Sequence, residues 1–285
     1  MKLSYSTLAC PAWDIGKIID AAVASRYDAI DFRGYLDCIE VVDSPYFKDG
    51  ALREIARRVA DAGLEVSCLS AGAKATAADG AVRAAQLDMM RRYADLCGAF
   101  GCRQVRIFGG DDKGIADPVS NAAETLVAAA PIARAAGIEF AIETHDCWRD
   151  TAKIRAAFDA AGRPEGISLL WDVHHPWEVG REDPEYSVRN LHPYIGNTHW
   201  KDSVPKEGGG RSHRIPGKGD VPLREIFFAL RNSGYDGWFT LEWEKRWQPD
   251  IAEPEEVIPA FAVFIRNLDR EWKIASGGNG KGERQ

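Results

Sequence analysis

Four stretches of this chain end a short apolar run in a side chain that can bind a cation. Two glutamates, one aspartate and one histidine supply only oxygen and nitrogen donors, which favours Mn, Mg, Co or a catalytic Zn as the ion. Three carboxylates buried together would repel and raise one another's pKa unless a cation neutralised them. The pattern predicts one divalent metal site with these ligands: Glu143 after residues 138–142, Asp172 after 167–171, His199 after 195–198 and Glu242 after 238–241.

These ligands can meet only if their strands lie side by side and end at the same edge of a sheet. Apolar runs with strand character alternate with helical, Ala-rich and charged segments along the chain. Eight such strand and helix units are typical of a single α/β domain of the closed (β/α)8 TIM-barrel type, in which the C-terminal strand ends form the active-site mouth. The predicted strands are residues 2–9, 29–32, 64–70, 104–108, 138–142, 167–171, 195–200 and 238–243.

An open doubly wound sheet is the alternative architecture. Such a sheet would usually carry a glycine fingerprint after its first strand, whereas residues 10–13 of this chain read CPAW. A length of 285 residues with 45% hydrophobic content suits one barrel, so we predict a catalytic domain over residues 1–275. The polar, glycine-rich residues 276–285 predict a flexible tail, and residues 203–221, rich in Gly, Lys and Arg, predict an irregular segment.

The composition argues against large charged partners. A formal net charge of -7 offers no concentrated positive surface for nucleic acid or an anionic membrane. Six scattered cysteines without a CxxC pair indicate reduced thiols in a cytosolic protein. The N-terminus lacks the apolar run of a signal peptide, and no window approaches a membrane span of about 20 residues. We therefore expect a cytoplasmic protein that acts on a small molecule.

The motifs around the predicted ligands resemble those of a known family. The chain is similar to the sugar phosphate isomerase/epimerase group of xylose-isomerase-like TIM barrels. The resemblance rests on five motifs, which span the C-terminal half: IETH at Glu143, WDVHH at Asp172, THWKD at His199, HRIPGKGD at His213 and LEWE at Glu242. It implies a sugar or keto-sugar substrate, a metal held by the four ligands above, and an assembly that is often a dimer or tetramer.

The resemblance also implies catalytic roles. In that family the two glutamates move the proton, so Glu143 and Glu242 are the predicted base and acid. An ion that binds a carbonyl and the adjacent hydroxyl acidifies the α-hydrogen by stabilising an enediolate. Return of the proton to the same carbon gives epimerisation, and return to the neighbouring carbon gives aldose and ketose exchange.

Five further side chains are predicted to contact the substrate. His175 lies three residues after Asp172, as in the ketose epimerases, although it could instead only hydrogen-bond to a metal ligand. Arg214 resembles a family arginine that contacts the substrate, although it could instead be an exposed, solvated charge. His145, two residues beyond Glu143, would face the mouth as a substrate or supporting group. Lys201 either polarises a substrate oxygen or pairs with Asp202 or Glu242. The ring of Trp13 would suit a sugar face, although packing explains any single tryptophan equally well.

Other functions remain open from the sequence. The chain has Arg149 where some ketose 3-epimerases carry a substrate-binding glutamate, which suits an anionic or otherwise different substrate. The main alternative to an isomerase or epimerase is a metal-dependent lyase or deglycosidase that acts on 3-keto-glycosides by β-elimination. An apurinic endonuclease-like hydrolase would need a basic face, which the net charge disfavours. A sugar-binding barrel without turnover is the non-catalytic alternative.

Overall fold

Eight of the apolar runs form parallel strands that close into a barrel, as predicted. The computed structural model describes residues 1–278. The strands of the described chain are β1 (Lys2–Ser6), β2 (Ala29–Phe32), β3 (Glu65–Lys74), β4 (Gln104–Phe108), β5 (Glu139–Glu143), β6 (Ile167–Asp172), β7 (Ile195–Trp200), β8 (Asp202–Pro205), β9 (Arg211–Arg214) and β10 (Trp238–Leu241). Around the barrel the strands follow the order β1, β10, β7, β6, β5, β4, β3, β2.

Helices cover the outside of the barrel. The strands are therefore buried on both faces, which is why they are near-continuous apolar runs rather than alternating ones. Several helices begin at an aspartate whose carboxylate caps the first turn, as Asp14, Asp79 and Asp117 do. The helices are α1 (Ile15–Ala24), α2 (Asp49–Asp61), α3 (Gly80–Phe100), α4 (Pro118–Ala136), α5 (Thr151–Ala160), α6 (His174–Gly180), α7 (Pro184–Leu191), α8 (Leu223–Asn232) and α9 (Pro254–Gly278), with short 3-10 turns at Thr7–Ala9, Val41–Asp43, Pro45–Phe47 and Asp146–Trp148.

The strand register brings the polar strand ends to one edge. Asp172 of β6 is paired with His199 of β7, and Thr240 of β10 is paired with the same histidine. Glu143 is the last residue of β5, the next strand along, and Glu242 follows β10 directly. The four predicted ligands therefore occupy the C-terminal ends of four adjacent strands.

Two of the predicted segments differ from the structure, and one helix was not predicted. Residues 203–221 are not wholly irregular, because β8 and β9 form an antiparallel hairpin with a glycine-rich tip there. The helix that was not predicted is α6, which begins directly after Val173 and carries the imidazoles of His174 and His175. Helix α9 continues to Gly278, past the predicted start of the tail at residue 276, and the remaining residues of that tail, 279–285, lie outside the described residues.

Candidate metal centre

The barrel brings the four predicted ligands together. Glu143, Asp172, His199 and Glu242 each offer one donor atom, and these atoms all lie within 4.8 Å of one another. All four side chains are buried. The four donor atoms are therefore close enough together to bind one common cation.

His199 is held between carboxylates on both sides of its ring. Its Nδ1 lies 2.9 Å from Glu143 Oε1 and 3.1 Å from Glu242 Oε1, and its Nε2 lies 3.1 Å from Asp31 Oδ2. Burial alone would lower the pKa of His199, but the carboxylates of Glu242, Asp31 and Glu143 outweigh burial and raise that pKa well above its usual value. Without a bound metal ion the His199 ring is therefore protonated at neutral pH, and its positive charge partly balances the surrounding carboxylates.

Asp31 contacts the candidate metal centre, and the sequence analysis did not predict it. It lies within β2, is fully buried, and reaches His199 across the barrel. Ser70 Oγ donates to Asp31 Oδ1 at 2.9 Å and so fixes the carboxylate. A carboxylate behind a ligating histidine orients the ring and raises its basicity. Asp31 lies inside the apolar run AIDF, and an acidic residue within a strand that is otherwise apolar could have indicated its place in the candidate metal centre.

Removing the Asp31 charge should weaken metal binding. Asp31→Asn is expected to lower metal affinity by about 10- to 100-fold, because the His199 ring loses the carboxylate that orients it. Titration of the metal-free protein with Mn²⁺, followed by calorimetry, measures this change. Asp28→Asn is the matched control, since Asp28 is exposed and its carboxylate accepts a hydrogen bond from the backbone of Leu3. Equal affinities in both variants would show that Asp31 has no such role.

Lys201 pairs with three carboxylates. Its Nζ lies 2.6 Å from Glu242 Oε2, 2.8 Å from Asp172 Oδ2 and 2.7 Å from Glu244 Oε1. Burial would lower the pKa of Lys201, but Asp172, Glu242 and Glu244 raise it well above its usual value, so the ammonium stays charged. Of the two partners weighed from the sequence, the structure selects Glu242 and not Asp202. The predicted contact of Lys201 with a substrate stays a prediction.

Arg106 is a second buried cation that the sequence analysis did not find. It lies on β4, its Nε is 3.3 Å from Glu143 Oε2, and its guanidinium stacks 3.8 Å from the Phe108 ring. Glu143 Oε2 nevertheless accepts no hydrogen bond from the described residues. A buried carboxylate oxygen without a hydrogen-bond partner is costly, and it retains lone pairs for a ligand.

The charges of the cluster fit a divalent cation. Within residues 1–278, five carboxylates, those of Asp31, Glu143, Asp172, Glu242 and Glu244, face two permanent cations, Arg106 and Lys201. Burial raises the pKa of Asp172 to about 7 despite the nearby Lys201 ammonium, and Glu242 and Glu143 add repulsion. This excess of negative charge, together with the donor set and the unsatisfied Glu143 oxygen, is what a divalent ion would neutralise.

Three histidines extend the cluster towards the mouth. His175 Nε2 lies 3.5 Å from Asp172 Oδ2, and neither ring nitrogen of His175 has a hydrogen-bond partner within residues 1–278. Burial and the Lys201 ammonium lower the pKa of His175 well below its usual value, so the ring is neutral. The His145 ring packs 4.8 Å from His175 and 4.6 Å from Phe108. His174 Nε2 lies 2.6 Å from Ser203 Oγ, and the ring also offers a nitrogen within 4.8 Å of donor atoms of Asp172 and His175.

Arg214 and Trp13, the remaining predicted substrate contacts, interact with groups other than the four ligands. The Arg214 guanidinium donates to Ser212 Oγ and to the His213 carbonyl, both on its own hairpin. Trp13 is buried in the hydrophobic core, with Lys17 Nζ 4.3 Å from its ring. Arg149 Nε donates to the Asp146 carbonyl, and Nη1 lies 3.6 Å from Glu178 Oε2. The roles of Arg214 and Trp13 in substrate binding stay predictions.

Asp202 shapes the loop that follows the hairpin. Its carboxylate accepts backbone hydrogen bonds from Ser203, Gly217 and Gly219 at 2.8 Å and from Val221 at 3.3 Å. A Cβ at Gly219 would lie 2.0 Å from Asp202 Oδ1. The glycines of the HRIPGKGD motif therefore let the backbone approach the carboxylate next to Lys201.

A side chain at position 219 should break this arrangement. Gly219→Ala is expected to lower the free energy of unfolding by about 1–3 kcal/mol, because the added methyl group overlaps Asp202 and the Ser203 carbonyl. Urea denaturation of both proteins measures the difference. Gly98→Ala is the control: it lies on an exposed face of α3, its new Cβ meets no atom within 4 Å, and it should gain about 0.5–1 kcal/mol. An unchanged Gly219→Ala midpoint would contradict the packing argument.

Comparison with known proteins gives the same fold and a group of relatives. Residues 19–268 match the family described as the xylose isomerase-like TIM barrel. A stretch of 114 residues is 32% identical to inosose dehydratase of Bacillus thuringiensis (strain Al Hakam) and covers 35% of this chain and 37% of that protein. A stretch of 117 residues is 34% identical to inosose dehydratase of Bacillus anthracis, covering 36% and 38%. The matches therefore span less than half the length of these curated relatives.

Two solved structures show the same barrel over almost the whole chain. A probable 3-DHS dehydratase of Bacillus anthracis superimposes with a TM-score of 0.76 at 18% identity, covering 94% of this chain and 99% of that one. The IolI protein, solved with a bound zinc atom, superimposes with a TM-score of 0.79 at 16% identity, covering 95% and 99%. At such identities the likeness concerns the fold. Within the described residues no helix is long and apolar enough to cross a membrane.

Proposed function

The chain belongs to the xylose isomerase-like TIM barrel family, and on that premise we propose that it is a divalent-metal-dependent isomerase or epimerase of a sugar or sugar derivative. The observation that carries the proposal is the convergence of Glu143, Asp172, His199 and Glu242 within 4.8 Å. A divalent ion bound there would stabilise negative charge on the oxygen of a hydroxyketone and so make its α-hydrogen acidic.

Glu143 and Glu242 are the proposed proton-transfer pair. They come from strands β5 and β10, which are separated by β6 and β7, an arrangement that suits opposite faces of a bound sugar. Burial would raise the pKa of both groups, but Arg106 lowers the pKa of Glu143, and Lys201 with His199 lowers the pKa of Glu242 well below its usual value. Both are therefore carboxylates at neutral pH, and Glu143 Oε2, which has no hydrogen-bond partner among the described groups, is the proposed proton acceptor.

The neutral ring of His175 is the proposed substrate-orienting group. Its two unpartnered nitrogens can donate one hydrogen bond and accept another, so it can hold a substrate hydroxyl beside Asp172. Lys201 Nζ donates to Glu242 Oε2 and fixes that carboxylate, while the Arg106 guanidinium lies 3.3 Å from Glu143 Oε2 and supplies a positive charge beside it. In this arrangement the chain's own side chains position the ligands, and the reacting groups need little reorganisation.

A proton-exchange screen tests the proposal directly. The protein, loaded with Mn²⁺, Co²⁺, Mg²⁺ or Zn²⁺, is incubated in D₂O with ketoses, inososes and keto-glycosides and followed by NMR, alongside metal analysis of the purified protein. We expect deuterium at the carbon next to the carbonyl, and an epimer or isomer without fragmentation. Absence of exchange on every compound with every ion would refute the proposal.

Dehydration is the second candidate, and one observation favours it. His145 Nδ1 lies 2.9 Å from Asp146 Oδ1, which gives a histidine and carboxylate pair beside the predicted proton acceptor. Burial would lower the pKa of His145, but Asp146 and Glu143 raise it above its usual value. After a carboxylate removes the α-proton, an imidazolium can protonate the β-hydroxyl as its C–O bond breaks, releasing water and leaving a double bond. The partial similarity to inosose dehydratases supports this outcome.

Replacing His145 separates the two candidates. In a dehydratase, His145→Gln should lower the rate of water loss by about 10²- to 10⁴-fold, the usual contribution of a general acid, while α-proton exchange continues. Parallel measurements of deuterium exchange and of the unsaturated product by absorbance provide the two rates. A wild-type protein that exchanges protons but never loses water identifies an isomerase or epimerase, and in that case the variant should change exchange by less than about tenfold.

A further inference from the structure

A cavity of about 280 Å³ lies beside the mouth, between the hairpin and the segment after β10. Its walls include Lys206, Arg211 and Ser212 of the hairpin, and Trp247, Gln248 and Asp250 of the segment that follows Glu244. A second cavity of about 220 Å³ shares Ser212 and Asp250 with it. The hairpin follows β7 in the chain, and the segment with Trp247 follows β10. These two strands are adjacent, and their ends carry His199 and Glu242 of the candidate metal centre.

Side-chain contacts connect this cavity to the candidate metal centre. Gln248 Nε2 donates to Glu244 Oε2 at 3.3 Å, and Glu244 Oε1 lies 2.7 Å from Lys201 Nζ. Lys201 in turn contacts Asp172 and Glu242. Glu244 and Lys201 therefore connect the cavity wall to two of the four ligands, and both loops of the wall leave the same end of the barrel as those ligands.

Trp247 is the most unusual residue of this wall. It is 55% exposed, whereas the other eight tryptophans are buried or partly buried. The loop that carries it is braced, because Lys245 Nζ donates to the carbonyls of Pro249 and Ile251 and to Glu253. Arg246 ties the same loop to the carbonyls of Leu8 and Leu36. The exposed Trp247 ring lines the cavity and so offers an apolar face to a ligand bound there.

The polar groups of the wall indicate a neutral ligand with many hydroxyls. Ser212 and Gln248 donate and accept hydrogen bonds, and Asp250 only accepts them. The Asp250 carboxylate disfavours an anion, while Lys206 disfavours a cation, and the charge of Arg211 is already paired with Asp220. An aromatic face with such mixed donors and acceptors matches the apolar face and hydroxyl rim of a sugar ring.

We infer that this cavity, the Trp247 cavity, binds a second sugar ring, so that the substrate is a glycosylated keto-sugar rather than a free monosaccharide. The inference rests on the proposed function, since the first ring is the one that reaches the metal centre. It adds a binding subsite, with Trp247 as the stacking residue and Gln248 and Ser212 as hydrogen-bonding residues.

Binding of ketose disaccharides tests the inference. The probes are D-fructose and four glycosylated fructoses that differ in linkage: turanose, maltulose, lactulose and isomaltulose. Affinities for the Mn²⁺-loaded full-length protein are measured by calorimetry, and ring contacts by saturation-transfer NMR. We expect at least one disaccharide to bind about tenfold more tightly than fructose, with saturation of both rings.

Variants of Trp247 identify the subsite. Trp247→Ala should remove the tenfold advantage and leave fructose binding unchanged, and Trp247→Phe should keep most of it, because a smaller aromatic ring still stacks. Tyr186→Ala is the control, an exposed aromatic on α7 outside the mouth loops. Disaccharides that bind no more tightly than fructose, or an advantage that survives Trp247→Ala, would overturn the inference. Because binding rather than turnover is read, failure of the proton-exchange screen and failure of this test are distinguishable.

Discussion

Glu143→Gln is expected to lower the rate of α-proton exchange by about 10³-fold or more. The amide keeps the size of the side chain but removes the proton acceptor and one negative charge from the metal centre. Glu143 contacts both His199 and Arg106, so the variant should also bind Mn²⁺ more weakly. Deuterium exchange by NMR and metal titration by calorimetry measure the two effects.

Glu244→Gln is the matched control for this prediction. Glu244 contacts the same Lys201 ammonium as Glu242 but is not one of the four converging donors. We expect its exchange rate to stay within about tenfold of the wild type, since the neighbouring pairs of Lys201 remain. If Glu143→Gln exchanged protons as fast as Glu244→Gln, Glu143 would not be the base.

The second large effect is the dependence of metal binding on pH. Without an ion the pKa of Asp172 is raised to about 7, chiefly by burial, and the pKa of His199 is raised well above its usual value by the carboxylates around it. A metal binds only the deprotonated forms and must displace these protons. Affinity should therefore fall about tenfold per pH unit for each displaced proton as the pH drops from 7 to 5.5.

The same two groups determine how removal of the ion changes stability. Each binds a proton more tightly when folded than when unfolded, so the stability that they contribute to the ion-free protein is lost as the pH rises through the raised values. Bound metal offsets this loss of stability, and at a free ion concentration a thousandfold above Kd it raises the free energy of unfolding by about 4 kcal/mol. The difference in Tm between Mn²⁺-loaded and chelator-treated protein should thus grow from pH 5.5 to pH 8.

Calorimetry in buffers with different ionisation enthalpies counts the released protons. We expect between one and two protons per ion at pH 7, from His199 and from the protonated fraction of Asp172. A dissociation constant that is identical at pH 5.5 and pH 7.5, with no proton release, would contradict the charge balance described for the candidate metal centre.

The sequence predicts the barrel and the four converging donors for the same physical reason. Parallel strands buried on both faces are apolar runs, and a polar residue at the end of each run marks the mouth. The strand ends can be recognised in the amino-acid sequence alone, as the position of Asp172 directly after the apolar run ISLLW shows. The family match over residues 19–268 confirms the predicted family, and the strand order confirms the predicted closed barrel.

The supporting residues were not predictable in this way. Asp31 and Arg106 stand inside apolar runs, and the donor that each one faces depends on the closed barrel: it places β2 across from β7, and it places β4 next to β5 in a register that brings Arg106 to Glu143. A sequence pattern carries no information on which side chains meet across the interior. Helix α6 was missed because its first turn holds the two imidazoles of WDVHH, which were interpreted as strand-end groups rather than as the start of a helix.

One cysteine has a practical consequence for experiments on this mouth. The six thiols are free, and Cys147, on the short turn after His145, is the exposed one, while Cys38 is partly covered and the others are buried. A maleimide fluorophore should therefore attach mainly at the rim of the barrel without engineering of the chain. Its emission would report the arrival of a sugar at His145 in real time, independently of whether that sugar reacts.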